Sequence, residues 1–281
     1  GIGMKNRPWV IYTAHGFHFY KGAPVKNWIL YYTCERMLAH YTDCLITINH
    51  EDYEYAKCFR LSNRGFLTYI PGVGLDFEKL QQSSQGLTRK ELGIPEDVLF
   101  ILAVGEINQN KNHIAILEAM KELQDDSIYF GICGTGNLTY CKKLQDTASE
   151  YGLDEQFRLF GYKKNIFDFL QNADVFVFPS YREGFGMAAL EAMAAGLPVI
   201  SANNRGTREF MVDGYTGLMV EPDDYIGFAE AIFKMKDPVI RTRMGENCKK
   251  QAKKFSIKRT EMYMKDIYDQ CERRSIGDGR K

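Results

Sequence analysis

Strand-like and helix-like runs alternate along almost all of the 281 residues of this chain. The strand-like runs are short and rich in β-branched and aromatic residues, whereas the runs between them have apolar residues at helical spacing. Alternation of this kind is typical of parallel βαβ units, in which helices cover the faces of a sheet. It predicts an α/β protein built from doubly wound parallel sheets.

The predicted strands form two groups. The first group lies at residues 9–14, 44–49 and 66–70, with helices near residues 25–40 and 51–59. The second group lies at residues 99–104, 128–133, 157–160, 175–178, 198–201 and 217–220. Turn and linker residues separate the groups, so we place a first domain at residues 1–78 and a second at residues 79–256. A last helix, at residues 257–281, is expected to pack back towards the first domain.

The first group is small for a doubly wound domain. Such a domain usually needs about 100 to 150 residues, and the first group offers only three strands. We therefore expect an incomplete first domain in a chain that is a fragment of a longer one. The sheet of that domain is expected to have an uncovered edge.

Charge and composition exclude several classes of protein. Basic and acidic residues balance at 36 each, which gives no reason to expect a nucleic-acid partner. The longest apolar runs are shorter than the roughly 18 residues of a membrane-spanning helix. The seven cysteines are odd in number and lack a C-x-x-C pair, which indicates a reducing cytoplasm. The spacing of Cys34, His40 and Cys44 matches no standard zinc pattern, so no metal site is expected.

The segment Glu183-Gly184-Phe185-Gly186 follows a predicted buried strand that Pro179 ends, and it opens a helix. Free amides at a helix N-terminus can bind phosphate or hydroxyl oxygens, and glycines let a ligand approach the backbone. Glu191 lies deeper in the same helix, among Met, Ala and Leu, where a carboxylate is costly unless hydroxyl or cationic groups surround it. Taken alone, either glutamate could also be a general acid or base.

Gly105 ends the first strand of the second group, and Lys111 precedes the next helix. A lysine at a helix N-terminus opposes the macrodipole by about 0.3 to 1 kcal/mol, so an anion sharing the site would explain it better. A phosphate fits that description. The alternative is an exposed lysine that water screens.

Gly134 and Gly136 follow the next strand and supply two of the three glycines of a dinucleotide-binding fingerprint, with Thr139 in the third place. This match is weak by itself. Together with Gly105, Gly161 and the Glu183 turn, however, these glycines predict a binding crevice along one edge of the sheet.

His15 follows the first strand of the first group, at the edge where an open α/β sheet places its ligands. It is a candidate for a role in the site, although a lone histidine at a strand end is more often structural. His18, three residues later, is expected to serve packing or the loop.

Together these residues resemble the retaining glycosyltransferases of the family-four group, also called glycosyl transferases group 1. Glu183 and Glu191 resemble its E-x7-E pair, and Gly105 to Lys111 resembles its G-R-x4-K diphosphate motif. The strand end at His15 is similar to the one that bears its active-site histidine. Residues 69–76 and 213–218 resemble its interdomain linker entry and its late D-G-x-x-G-L turn. The resemblance covers most of the chain and implies the GT-B fold, in which two Rossmann-like domains face each other across a cleft.

The resemblance also implies residue roles. His15 and Glu183 are the implied catalytic residues, with His15 near the reacting carbon and Glu183 on the donor sugar. Lys111 would bind the donor diphosphate and Glu191 the ribose, whose vicinal hydroxyls suit the two acceptor oxygens of a carboxylate. The other implied donor-binding residues are Gly105, Gly134, Gly136, Tyr162 at the base, Gly184, Phe185, Gly186 and Met187.

The function that the resemblance implies is retaining transfer of a sugar from a nucleotide-sugar donor, UDP-linked by default. The implied acceptor is a glycan or a lipid-linked sugar in cell-surface polysaccharide synthesis, without a metal or another cofactor. A cytoplasmic location is expected, with peripheral contact at the inner face of the membrane left open. A nucleotide-sugar epimerase and a non-catalytic nucleotide-binding remnant are kept as alternatives. A nicotinamide dehydrogenase is disfavoured by the incomplete fingerprint.

The sequence departs from the family pattern in two places. Glu106 stands where many relatives have a phosphate-binding arginine, and a carboxylate beside a diphosphate is unfavourable unless it turns away or pairs with a lysine. Asn108 and Asn110 are candidates to replace that arginine. The second departure is the short first domain, which lacks the family's opening Gly-rich loop, so impaired transfer is expected.

Overall fold

The structure is a computed structural model that describes residues 7–82 and 84–278. It divides into two compact units. Unit 1 takes the residues up to Gly74 and those from Phe255 onward, and unit 2 is Leu75–Lys254. Within the described ranges, no helix is long and apolar enough to cross a membrane.

Unit 1 contains a parallel sheet of three strands in the order β1-β2-β3. These strands are β1 Ile11–Ala14, β2 Cys44–Thr47 and β3 Phe66–Tyr69. The connections contain α1 Val25–Asn27, a π-helical turn Trp28–Tyr32, α2 Thr33–Ala39 and α3 His50–Ala56. The C-terminal helix, Ile257–Asp278, also belongs to this unit. The sequence predicted the helix over residues 25–40 but not its π-helical turn.

An aromatic core supports the segment after β1. Phe17 and Phe19 are buried and stack with ring centroids 4.7 Å apart. Trp28 and Tyr32 both pack on the Phe19 ring. Because burial of each aromatic ring removes a large apolar area from water, these contacts fix the chain direction after His15.

In unit 1, β1 begins at Ile11 rather than at the predicted residue 9, and two further features concern the end of β2 and the free edge of β1. Strand β2 ends at Thr47 rather than at residue 49, because the side chain of Asn49 caps α3 by accepting from the Asp52 amide. Among the described residues, β1 pairs with β2 alone, and Val10 and Tyr12 beside that edge are exposed.

Unit 2 contains a parallel sheet of six strands in the order β6-β5-β4-β7-β8-β9. The strands are β4 Leu99–Val104, β5 Ile128–Cys133, β6 Phe157–Gly161, β7 Val175–Phe178, β8 Val199–Ala202 and β9 Gly217–Val220. Each agrees with the sequence prediction to within one residue at either end. Strands β5, β7 and β8 are buried along their whole length, as a sheet covered by helices on both faces requires.

The helices of unit 2 connect these strands and cover the sheet. They are α4 Phe77–Gln82, α5 Arg89–Leu92, α6 Ile114–Leu123, α7 Leu138–Glu150, α8 Ile166–Asn172, α9 Met187–Ala195, α10 Tyr225–Lys234 and α11 Pro238–Ala252. Short 3-10 turns lie at Gln109–Lys111 and Thr207–Glu209. The α/β fold with parallel sheets that the sequence predicts is therefore confirmed.

Candidate functional site

The strand order of unit 2 defines the place where a ligand is expected. Strands β5 and β6 lie on one side of β4, and strands β7, β8 and β9 lie on the other. The chain therefore reverses its direction of winding between β4 and β7. In open α/β sheets, ligands bind outside the carboxyl ends of the strands at such a switch point. The loops after β4 and β7, which contain Lys111 and Glu183, meet at this point.

The loop after β4 turns sharply at Gly105 and places Lys111 above it. Gly105 has φ 146°, a conformation that favours glycine. A Cβ at this position would lie 3.6 Å from Nζ of Lys111, so the lysine side chain runs back over the glycine. The side-chain oxygen of Asn108 accepts from the backbone amide of Lys111, at 3.2 Å, and caps the short 3-10 turn.

The loop after β7 presents Glu183 and leads into α9. Gly186 is the N-cap of that helix and has φ 108°, which a residue with a side chain rarely adopts. The ring of Phe185 is buried and packs on Phe210 at 5.3 Å between centroids. Phe185 can therefore offer a ligand only its backbone, whereas Gly184 and Met187 are partly exposed.

Lys111 and Glu183 form an ion pair across the switch point. Nζ of Lys111 donates to Oε1 of Glu183 at 2.7 Å, and the side chains are only 19% and 15% exposed. The same ammonium group lies 5.1 Å from the centroid of the Phe178 ring. The sequence predicted an anion beside Lys111, and Glu183 supplies one. Because water screens this pair little, the attraction orders both side chains.

Asn110 joins the same two loops through its backbone and its side chain. Its carbonyl oxygen accepts from the Tyr181 amide at 2.8 Å, and its Nδ2 donates to the Arg182 carbonyl oxygen at 2.9 Å. Asn110 thus stabilises the loops with the amide donor that a phosphate would otherwise use, whereas Asn108 stabilises its turn with its acceptor oxygen.

Glu191 lies on the second turn of α9 and is half-buried. Burial raises the pKa of its carboxyl group above the ordinary value. Within residues 7–82 and 84–278 its carboxylate has no hydrogen bond or ion pair, in contrast to Glu183. The unfavourable burial that the sequence indicated is therefore present, and this side chain has free acceptor oxygens.

A cleft of about 380 Å³ lies beside the loop after β4. Gly105, Glu106, Gly134, Tyr162 and Lys163 are among its lining residues. Its volume lies within the usual range for small-molecule sites. Tyr162 is 74% exposed, so its ring is available to a flat ligand group. Glu106 lines this cleft and is exposed, and Lys111 pairs with Glu183 instead.

Gly134 and Gly136 have a packing role that the fingerprint comparison did not indicate. A Cβ at Gly134 would lie 1.8 Å from the carbonyl oxygen of Gly105, and one at Gly136 would lie 1.9 Å from that of Ile107. Ile107 and Gly136 form an isolated parallel bridge. The two glycines thus allow the loops after β4 and β5 to touch.

His15 lies in unit 1, directly after β1, and is exposed. Its position at the carboxyl end of a parallel strand agrees with the sequence expectation. His18 stacks on Tyr31 at 4.7 Å between centroids, as expected for a packing role.

Two side chains near the site were not identified from the sequence. Arg205 is 6% exposed, and its Nε donates to the carbonyl oxygen of Glu183 at 3.3 Å. His113 is 3% exposed at the N-terminus of α6, and its Nδ1 has no partner among the described residues. Burial and, secondarily, the charge of Lys111 lower the pKa of His113 to about 3. Neither position has a local pattern that indicates its burial.

No group of three or more His, Cys, Asp or Glu side chains in the described part is placed to hold a metal ion.

Comparison with known proteins shows the family of this chain. A family model described as glycosyl transferases group 1 matches residues 84–254. EpsD of Bacillus subtilis, named as a glycosyltransferase, is 39% identical over 92% of this chain and 69% of its own length. An Escherichia coli UDP-Gal:α-D-GlcNAc-diphosphoundecaprenol α-1,3-galactosyltransferase is 29% identical over 93% of this chain and 69% of its own length.

Solved structures show the same fold. Sucrose-phosphate synthase from Thermosynechococcus elongatus matches with a TM-score of 0.78 and 24% identity, over 92% of this chain and 67% of that one. Anabaena HepE in complex with UDP-glucose matches with a TM-score of 0.80 and 16% identity, over 93% of this chain and 72% of that one. The chain therefore belongs to the glycosyl transferases group 1 family and is a glycosyltransferase with the GT-B fold.

Proposed function

We propose that this glycosyltransferase transfers a sugar from a UDP-linked donor, with retention of configuration, to a glycan or lipid-linked acceptor in cell-surface polysaccharide synthesis. The observation that carries the proposal is the half-buried carboxylate of Glu191, which lacks a partner in the described residues. A vicinal diol donates two hydrogen bonds to one carboxylate, so a ribose would offset the cost of burying it. The acceptor and donor classes follow the Escherichia coli relative and the HepE complex named above.

The proposed donor lies along the loops at the switch point. Its diphosphate binds Lys111 and the amides at the N-terminus of α9, which stabilise the charge of the leaving group. Its ribose binds Glu191 and its base lies in the cleft beside Tyr162. Its sugar lies against Glu183 and the backbone of residues 184–187. His15, directly after β1, is proposed as a catalytic residue, as the family resemblance implies.

Calorimetric titration tests this assignment. The proposal expects binding of UDP and of at least one UDP-sugar, weaker binding of GDP, and no binding of NAD. Binding of NAD without binding of any nucleoside diphosphate would rule the proposal out. A remnant without catalysis would bind the donor but release no UDP in the presence of acceptor. An epimerase would convert the donor to a free epimer without any acceptor.

A further inference from the structure

The turn after β8 lies directly against the Glu183 loop. Gly206, on this turn, has φ −73° and ψ −45°, values that any residue can adopt. A Cβ at this position would nevertheless lie 2.6 Å from the carbonyl oxygen of Phe185 and 2.8 Å from Cβ of Glu183. Gly206 is therefore required by close approach and not by backbone conformation.

The same turn buries a cationic side chain beside Glu183. Arg205 is 6% exposed and donates from Nε to the Glu183 carbonyl oxygen. Burial of a guanidinium group is unfavourable unless its donors find acceptors, and a charged donor makes a stronger hydrogen bond than a neutral one. The Glu183 backbone is thus bound by a group whose own position is tightly constrained.

The turn is itself anchored to both neighbouring strands. Asn204 accepts from the amides of Gly206 and Thr207 through Oδ1, and its Nδ2 donates to the Ser180 carbonyl oxygen at 2.8 Å. The hydroxyl of Thr207 donates to the Ala202 carbonyl oxygen at 2.7 Å. These buried bonds connect the end of β7 to the end of β8 and leave the turn little freedom to move.

From these contacts we propose that Arg205 is a positioning residue for the donor sugar. Its hydrogen bond fixes the backbone of Glu183. The position of that backbone sets the direction of the Glu183 side chain, so that the carboxylate faces the sugar hydroxyls. This inference rests on the proposed role of Glu183 in binding the sugar. Since Glu191 and Lys111 bind the nucleotide in the same scheme, Arg205 affects the sugar half of the donor and leaves the nucleotide half unchanged.

The test compares UDP with UDP-sugars in calorimetric titrations of the full chain. UDP-glucose, UDP-galactose and UDP-N-acetylglucosamine are titrated first, and the tightest of them is used with every variant. Arg205→Met is expected to keep the affinity for UDP within about twofold and to weaken the UDP-sugar by about 10-fold, since a charge-assisted bond contributes about that factor. Arg205→Lys keeps the charge without the planar group and is expected to recover part of the loss.

Arg208→Met is the matched control, because Arg208 lies on the same turn but is exposed and donates to Oδ1 of Asn203. It is expected to leave the affinities for UDP and the UDP-sugar unchanged. Gly206→Ala displaces Glu183 in a second way, because the added methyl group overlaps Cβ of Glu183. It is expected to weaken binding of the UDP-sugar and to leave binding of UDP unchanged. It keeps the test decisive if Arg205→Met does not fold.

The outcomes separate this inference from the function on which it rests. Equal weakening of UDP and the UDP-sugar by Arg205→Met and Gly206→Ala, or no weakening of either ligand, overturns the role of Arg205. If Glu183→Gln loses the UDP-sugar while Arg205→Met retains it, only the present inference fails. If the unmodified chain binds no uridine nucleotide, the proposed function is wrong. The role of Arg205 is then wrong as well, because it rests on that function.

Discussion

Nζ of Lys111 lies 2.7 Å from Oε1 of Glu183, although the two residues are 72 positions apart in the chain. The pair links the loop after β4 to the loop after β7, which are the loops at the switch point of the unit 2 sheet. Under the proposed function, a donor diphosphate competes with Glu183 for the lysine. Donor binding would then release the Glu183 carboxylate towards the sugar hydroxyls.

Opposite effects on UDP affinity are expected from the two members of this pair. Lys111→Met removes the cation and should weaken UDP by about 10- to 100-fold, the value of a charge-assisted hydrogen bond. Glu183→Gln removes the competing carboxylate and should strengthen UDP by about two- to fivefold while it weakens the UDP-sugar. Calorimetry measures both, with Lys143→Met, an exposed lysine on α7, as the control. Weaker UDP binding by Glu183→Gln would contradict the competition.

Replacement of Glu191 by glutamine tests the ribose contact. The amide keeps the shape of the side chain but exchanges one acceptor for a donor. The free energy of UDP binding should therefore become less favourable by about 1 to 3 kcal/mol. Titration with the 2′,3′-dideoxy analogue of UDP provides the control. The unmodified protein should prefer UDP to the analogue, and Glu191→Gln should show a smaller preference because it keeps only one of the two acceptor oxygens. A preference that is undiminished in the variant would return Glu191 to a purely structural role.

Glu191→Gln should raise the stability of the protein measured without UDP, although it lowers the affinity for UDP. Burial raises the pKa of Glu191 in the folded state above its ordinary value of 4.5. Its favourable contribution, made by the neutral form, is complete below pH 4.5 and is lost as the pH rises through the folded pKa. At pH 7, Glu191→Gln should therefore have a higher melting temperature than the unmodified protein. A lower melting temperature at pH 7 would argue against an unpartnered carboxylate.

His113 predicts loss of stability in acid. Its pKa is lowered to about 3 in the folded state, from an ordinary value of 6.5, because the imidazole is buried. The unfolded chain takes up a proton below pH 6.5 that the folded chain refuses, so the free energy of unfolding falls by about 1.4 kcal/mol for each pH unit below that value. Urea unfolding at pH 7 and pH 5 should show a smaller fall in His113→Leu than in the unmodified protein. A fall in His113→Leu as large as that in the unmodified protein would contradict this role of His113.

Glu106 gives a prediction of increased affinity. Its exposed carboxylate lines the cleft next to Gly105. Glu106→Arg reverses a charge near the proposed diphosphate site and should strengthen UDP binding by about three- to 10-fold at low salt, with less gain at high salt. Glu122→Arg, an equal change in charge at the far end of α6, should have little effect. Equal gains from both variants would mean that only net charge matters.

The buried strands of unit 2 were predictable because each is a short apolar run rich in β-branched and aromatic residues, which favours a strand over a helix. The costly burial of Glu191 could also be inferred, since its helix offers only apolar neighbours. The partner of Lys111 could not be identified, because Glu183 approaches it only when β7 lies beside β4. The burial of Arg205 was hidden for the same reason. Its acceptor belongs to another strand's loop, and nothing in its own segment indicates the contact.

The close packing at Gly134 and Gly136 has a consequence for how such sequences are classified. In this chain a Gly-x-Gly directly after a strand satisfies a steric demand from the neighbouring loop, because even a single methyl group would overlap a carbonyl oxygen. A search that uses this two-glycine pattern alone to find nicotinamide enzymes would therefore also select this chain. A third glycine, absent here at Thr139, together with an acidic residue at the end of the second strand, is the better discriminator.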